Sequence, residues 1–336
     1  MKVSELGEFG LISLLTKIVE RTRDNQSPAW QNLLIGIGDD AAAWRGDALT
    51  QLLTVDSFIQ DEHFSLAMTP WQEAGWKALA VNLSDIAAMG GVPQYAVVSL
   101  ALPGDTEVDD MKALYQGMTE LAQEFGVAIV GGDISRAPQV ALNISVLGIT
   151  GNRNGAMLTR SGAKPGDRIA VTGYLGAAGA GLEMLSGKLT FDDKTSARLK
   201  QAFLKPHPRV NEGRLFLEQG VKTAIDISDG LVSDLGHICQ ASKLGARLEV
   251  SAVPVDPAVR TCFGDRALEL ALSGGEDYEL LFTASAEIID SVSKIAKCPI
   301  TVIGDMVADK EHRVSLFDPK GNPFKLDRGG WEHFRQ

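Results

Sequence analysis

A series of short acidic motifs runs along the chain: Gly38-Asp39-Asp40, Thr54-Val55-Asp56, Asn82-Leu83-Ser84-Asp85, Gly131-Gly132-Asp133, Asp226-Ile227-Ser228-Asp229-Gly230 and Gly274-Gly275-Glu276-Asp277. Most follow an apolar run, which predicts carboxylates at strand ends. Two carboxylates ~4 Å apart repel by roughly 4 kcal/mol at an effective dielectric of ~20, so several share a pocket only if they protonate or hold cations. A site for several magnesium ions is the simplest expectation, because magnesium takes oxygen ligands and is shared between protein carboxylates and substrate phosphates. Phosphoryl chemistry is therefore the first hypothesis. Asp beside Gly is also ordinary turn or helix-cap chemistry, and only the repetition favours a site.

Other motifs narrow the reaction class. The segment from Gly173 to Gly181 has a strand, glycines and a helix start, a natural anion site, yet Leu182 and Glu183 follow Gly181 where a Walker loop needs Lys and Ser or Thr. Close helix packing explains its glycines equally well. No protein-kinase signature and no zinc His-Glu-x-x-His helix is present. Of the 5 histidines only His63 stands out, in an acidic loop seven residues after Asp56. Arg160 could fork onto a phosphate or lie on the surface, and Trp331 could be an aromatic lid or a carboxyl-terminal anchor.

The elements that must position these residues alternate. An apolar stripe from Gly7 to Arg23 predicts a helix capping the first domain. Strands are expected at Leu33 to Ile37, Gln51 to Val55, Tyr95 to Leu102, Val127 to Val130 and Val140 to Ile149, and helices from Pro70 to Met89 and from Val108 to Phe125. The polar stretch Thr150 to Gly155 is the expected boundary, dividing the chain at 1–150 and 151–336. Beyond it, helices at Ser196–Phe203, Val210–Gln219, Leu231–Ala241, Arg266–Leu272 and Ile288–Ile295 alternate with strands near Ala224, Leu248, Glu279 and Val302. That order predicts a layered, mixed α/β architecture.

Length and composition agree with this reading. At 336 residues two domains are expected, and 45% hydrophobic and 22% charged residues describe an ordinary folded protein. The net charge of −11, with scattered Lys and Arg, argues against nucleic acid or an anionic membrane as partner. A negative protein still binds a nucleotide when divalent cations bridge the two. The 3 cysteines, at 239, 262 and 298, form neither a disulfide framework nor a zinc pattern. Met1 to Glu5 begins no signal peptide and no apolar run is long enough to span a membrane, so a cytosolic protein is expected.

Taken in order, Glu8-Phe9 with Leu11-Ile12, Gly38-Asp39-Asp40-Ala41, Asp56 with His63-Phe64, Lys77-Ala78 with Asn82 to Gly90, Gly131-Gly132-Asp133, Asp226 to Leu231 and Gly274 to Leu280 resemble the thiamine-monophosphate kinase family. This family lies within the aminoimidazole-ribonucleotide synthetase superfamily. The resemblance covers almost the whole chain. It implies two α/β domains of the PurM-like type, with amino-terminal strands forming a barrel in a homodimer. The implied activity is direct transfer of the γ-phosphoryl of ATP onto thiamine monophosphate, the last step of thiamine diphosphate formation, assisted by Mg2+.

Carried over by motif, Asp39, Thr54, Asp56, Asp85, Asp133, Asp226 and Asp229 would hold magnesium, and Val55 would lend its backbone carbonyl. Gly132, Asp133, Arg160 and Ser228 would contact ATP, while His63, Glu276, Asp277 and Trp331 would face thiamine monophosphate. Gln60 stands where the family commonly has an acid. No general base is expected, because an acceptor phosphate with a second pKa near ~6 is already anionic at neutral pH. Sister enzymes of the superfamily and a noncatalytic nucleotide or cation sensor are the competing readings.

Overall fold

The computed structural model describes residues 32–35, 38–45, 50–151, 155–187, 189–326 and 330. The expected helix at Gly7 to Arg23 and Trp331 lie outside them. The first sheet contains β1 (Leu33–Ile35), β2 (Ala42–Arg45), β3 (Thr50–Ile59), β4 (Gly91–Leu102), β5 (Ala128–Arg136) and β6 (Ala141–Thr150), in the order β1-β2-β3-β6-β4-β5. Among the described strands of this sheet only the β4/β5 pair is parallel. In β3 the alternation of a strand puts Leu52, Thr54, Asp56 and Phe58 on one face and Leu53, Val55 and Ser57 on the other.

Helix α1 (Trp71–Ala88) and helix α2 (Val108–Phe125) cover the first of these faces. Their apolar side chains join Leu52, Phe58, Val98, Leu100, Leu142, Ile144 and Val146 in one core. Helix α1 is buried almost all round, as expected of a helix packed on both sides. Its far side meets the second domain, where Ala87 and Ala88 join Val210, Phe216, Ala224 and Phe282.

The second sheet contains β7 (Arg168–Thr172), β8 (Thr223–Asp226), β9 (Gly245–Glu249), β10 (Leu280–Ala284), β11 (Ile300–Val307) and β12 (Val314–Phe317), in the order β12-β9-β11-β7-β10-β8. Alternate residues of β7, β8 and β10 enter two different cores. Ile169, Val171, Ile225 and Leu281 pack with helices α3 (Ala177–Gly187), α6 (Leu231–Ser242), α7 (Pro257–Phe263) and α8 (Arg266–Ser273). Ala170, Ala224, Leu280 and Phe282 pack with α5 (Val210–Glu218) and α9 (Ala286–Ile295). Helix α4 (Asp193–Leu204) lies against α3 and reaches α1.

The expectation of carboxylates at strand ends needs correction. Asp226 does end β8, but Asp56 lies within β3, Asp85 lies on α1, and Gly131-Gly132-Asp133 lies inside β5. The glycines of that last motif serve the sheet. A Cβ at Gly132 would stand 1.9 Å from the carbonyl oxygen of Val98, so only glycine lets β5 close onto β4 here.

Candidate active site between the two sheets

Separate elements bring carboxylates to one place. The turn before β2 carries Asp40, β3 presents Asp56 on its covered face, α1 presents Asp85 in its last turn, and β8 ends on Asp226. Single oxygens of Asp40, Asp85 and Asp226 lie within 4.8 Å of one another. Thr54 Oγ1 donates to Asp85 Oδ2, and Ser84 Oγ donates to Asp226 Oδ2 at 2.6 Å. Asp56 and Asp85 act on each other electrostatically.

Burial, reinforced for Asp56, Asp85 and Asp226 by neighbouring acids, raises the pKa of these groups. Burial, reinforced by Asp56, Asp226 and Asp40, pushes Asp85 well above the carboxylate range. Asp226 is raised to about 7, by burial first and then by Asp40, and burial raises Asp56 to about 6. Asp40 is also raised by burial, against the opposing charge of Arg160. Among the described residues its buried Oδ2 atom has no hydrogen-bond partner, an acceptor left open to a cation. The all-oxygen donor set suits a hard divalent ion such as magnesium.

Arg160 stands beside this cluster, paired to Asp40 and with Nε 3.9 Å from Asp39. Asp39 turns toward the backbone, its Oδ2 accepting the Arg160 N–H at 3.3 Å, and burial raises it to about 6. The structure thus brings Asp40, rather than the expected Asp39, into the group of converging oxygens. Successive residues of a turn point different ways, and the Asp39-Asp40 dipeptide carries no signal that distinguishes them.

Next to the cluster lies a cavity of about 430 Å³, to which Asp56 belongs as well. Asp61, Glu62, His63, Ser228, Asp229 and Glu276 supply its polar lining, with Phe58, Phe64, Phe203 and Tyr278 as aromatic walls. Among the described residues no Lys or Arg lines it. Phe58 and Phe64 stack at 4.6 Å, and His63 Nδ1 accepts the Ile59 N–H at 3.1 Å, which fixes that nitrogen as the unprotonated one. A pocket of acids and aromatic rings suits a planar cation.

The Gly274 to Tyr278 loop closes one side. Glu276 and Tyr278 adopt φ of 58° and 48°, a left-handed conformation costing roughly 1–2 kcal/mol per non-glycine residue. The loop is pinned there by Glu276 N–H donating to Ser228 O at 2.7 Å and Tyr278 N–H to Ile227 O at 2.9 Å. Glu276 faces the cavity. Asp277 turns away, accepting the N–H groups of Gly176 at 2.8 Å and Ala178 at 3.3 Å at the start of α3. That glycine-rich helix start, which the sequence left open between an anion site and close packing, is filled by the protein's own carboxylate. Gly181 serves packing, since a Cβ there would meet Leu199 O at 2.3 Å.

The remaining expected residues fall elsewhere. Val55 directs its side chain to the open face of the first sheet, where it is 61% exposed; the expectation for it concerned its backbone carbonyl alone. Asp133 pairs with Ser99, Ser99 with Asn143 and Asn143 with Ser57, so it shares that open face. Three strand spacings separate it from the Asp56 strand, about 14 Å. Gly132 lies beside it in exposed β5. The candidate residues taken from the sequence do not include Asp40, whose oxygen converges with those of Asp85 and Asp226, nor Ser84, Phe203 and Tyr278. Ser84 and Tyr278 adjoin motif aspartates, whereas Phe203 carries no motif signal.

Two family models match in series: AIR synthase related protein, N-terminal domain, over residues 38–150, and AIR synthase related protein, C-terminal domain, over residues 164–317. Fold and site thus define a two-domain protein of the AIR synthase related class. Thiamine-monophosphate kinase of Escherichia coli K12 is 37% identical over 334 residues, covering 98% of each chain. That of Bacillus subtilis 168 is 35% identical over 339 residues, covering 98% of this chain and 100% of its own. Among solved structures, AaThiL complexed with AMPPCP and TMP matches with a TM-score of 0.85 at 32% identity, over 99% of both chains. The chain belongs to the thiamine-monophosphate kinase family.

Proposed function

We infer that this chain transfers the γ-phosphoryl of ATP directly onto the phosphate of thiamine monophosphate, yielding thiamine diphosphate. The observation that carries this is the convergence of Asp40, Asp85 and Asp226, from both domains, beside an acidic and aromatic cavity. The kinase relatives and the AaThiL complex with AMPPCP and TMP support the same reactants.

Asp40, Asp56, Asp85 and Asp226 are the carboxylates that would hold magnesium, with Thr54, the Val55 carbonyl and Asp229 at its margins. Bound there, magnesium supplies neutralisation of the phosphate charge. Arg160, beside Asp40, and Ser228, on the cavity wall, are placed for the ATP phosphates. Glu276 and the Phe58, Phe203 and Tyr278 rings receive the cationic head of the acceptor, and His63 its polar edge. The pocket holds the acceptor oxygen in line with ATP, and this positioning is the chain's main contribution to rate. No side chain need remove a proton, since the acceptor phosphate is already anionic.

We further propose a homodimer closed over the open face of the first sheet, its strands completing a barrel. Leu53, Val55, Tyr95 and Val97 leave that face apolar and exposed. Gly132 and Asp133, too far from their own cluster, would then serve the nucleotide site of the second copy. A cytoplasmic location fits a chain in which, among the described residues, no helix is long and apolar enough to cross a membrane.

Incubation of the purified protein with ATP, magnesium and thiamine monophosphate is expected to yield thiamine diphosphate. Absence of product across magnesium concentrations would favour a sister enzyme or a noncatalytic sensor. Labelled ATP without acceptor should leave no covalent label on the protein.

A further inference from the structure

Lys77 belongs to none of the roles above, yet its burial demands an explanation. Its side chain is 1% exposed, and burial lowers its pKa while Glu276 opposes the shift. Its Nζ lies 2.9 Å from Glu276 Oε1 and 3.7 Å from the centre of the Phe203 ring. Among the described residues the ammonium has no hydrogen-bond partner of good geometry, and that carboxylate and that ring are its compensation. Glu276 and Phe203 both line the cavity; Lys77 stands behind them.

The three residues come from different parts of the molecule. Lys77 is on α1 of the first domain, Phe203 on α4, and Glu276 in the loop whose backbone is fixed by Ser228 and Asp277. The neighbouring Trp76 Nε1 donates to Pro206 O at 2.8 Å, anchoring the end of α4 to α1 beside Phe203. Along α1 the same stripe continues through Val81, also a cavity residue, to Ser84 and Asp85. The interval from Lys77 to Asp85 corresponds to about 12 Å of helix axis, so one rigid element spaces the acceptor pocket from the carboxylate cluster.

We propose that Lys77 is a positioning residue for the acceptor: it sets the Glu276 carboxylate and the Phe203 ring in the cavity wall, at a distance from the carboxylate cluster fixed by α1. This rests on the reading of the cavity as the thiamine monophosphate pocket. A merely structural lysine would affect both substrates or neither.

The test is steady-state kinetics of the full-length enzyme with each substrate varied. K77M is expected to raise KM for thiamine monophosphate roughly ten- to a hundredfold while leaving KM for ATP within about twofold, and K77R to recover part of the loss. E276Q should give a similar rise, and the K77M/E276Q double variant no further rise, because the two residues act as a unit. An unchanged acceptor KM, an equal rise for both substrates, or additive effects in the double variant would overturn the proposal. If K77M does not fold, the same cycle with K77R and E276D applies, with the same non-additivity expected. Wild-type turnover in the same assay tests the functional reading separately: no thiamine diphosphate from wild type rejects that reading, while normal wild-type turnover with indifferent variants rejects only the role of Lys77.

Discussion

Among the described residues the two sheets are alike in strand number and in having one parallel edge pair, yet they are covered differently. Strands β7, β8 and β10 of the second sheet are buried on both faces, with alternate residues in separate cores. The first sheet rests one face on α1 and α2 and leaves Leu53, Val55, Tyr95 and Val97 exposed on the other. The difference teaches a division of labour. The second sheet is a closed platform for Asp226 and the Glu276 loop, whereas the first serves the site from its covered face and leaves its other face open, the face proposed above to meet a second copy.

A charge placed in each sheet separates these roles most sharply. Phe282 is fully buried and 4.1 Å from the Phe216 ring, so Phe282→Asp should cost more than about 4 kcal/mol and abolish cooperative unfolding near the wild-type melting temperature. Val97→Asp on the open face should leave a folded protein that sediments as a monomer with greatly reduced turnover. A Val97→Asp protein that is a fully active dimer would contradict the assignment of that face.

The site itself joins the sheets. Asp85→Asn and Asp226→Asn, one from each domain, should each reduce kcat by about 10³-fold or more, of the order of 4 kcal/mol. Neither should lower the melting temperature in the absence of divalent cation, because each removes a buried, repelling acid. Wild-type turnover in either variant would dismantle the shared cluster.

The pH dependence of stability follows from the same repulsion. Asp56 and Asp226 hold protons up to about 6 and about 7 in the folded protein, against an ordinary 3.8. The folded state therefore binds more protons than the unfolded chain between these values. The stability these two groups contribute is fully present below about pH 4 and is lost as the pH rises through about 6 to 7. In EDTA their contribution makes the melting temperature fall from pH 5 to pH 8, and magnesium should raise it more at pH 8 than at pH 5. Thermal scans at both pH values check this; an equal effect of magnesium at both would argue against cation binding by these acids.

The smallest effect concerns adjacent acids. Asp277→Ala should destabilise the start of α3 by about 1–2 kcal/mol with little change in acceptor KM, whereas Glu276→Gln should raise acceptor KM and also lower stability, because it leaves the buried Lys77 ammonium without its carboxylate. Thermal scans and kinetics of the two variants together sharpen the contrast.

Much of this was legible in the residues. The spacing of Leu114, Met118, Leu121 and Ala122, with Gly126 in the left-handed region after the last turn, gives the helix Val108–Phe125 at its observed bounds. Harder were short elements whose existence depends on neighbours: α7 has seven residues and β12 four, and both are held by tertiary packing. The Gly131-Gly132-Asp133 motif looks like a turn in one dimension and becomes strand because β4 supplies a ladder. At the site, the sequence names the motifs but not the direction of each side chain. Asp39 against Asp40, and Glu276 against Asp277, differ in where the backbone aims them, and that is set by Arg160 and by the start of α3, distant in sequence.

The most direct measurement is anomalous diffraction from crystals grown with Mn2+ and a non-hydrolysable ATP analogue. Peaks about 2.2 Å from oxygens of Asp40, Asp85 and Asp226, bridging to the nucleotide phosphates, are the expected result. Peaks confined to other carboxylates, with these side chains free of metal, would contradict the account.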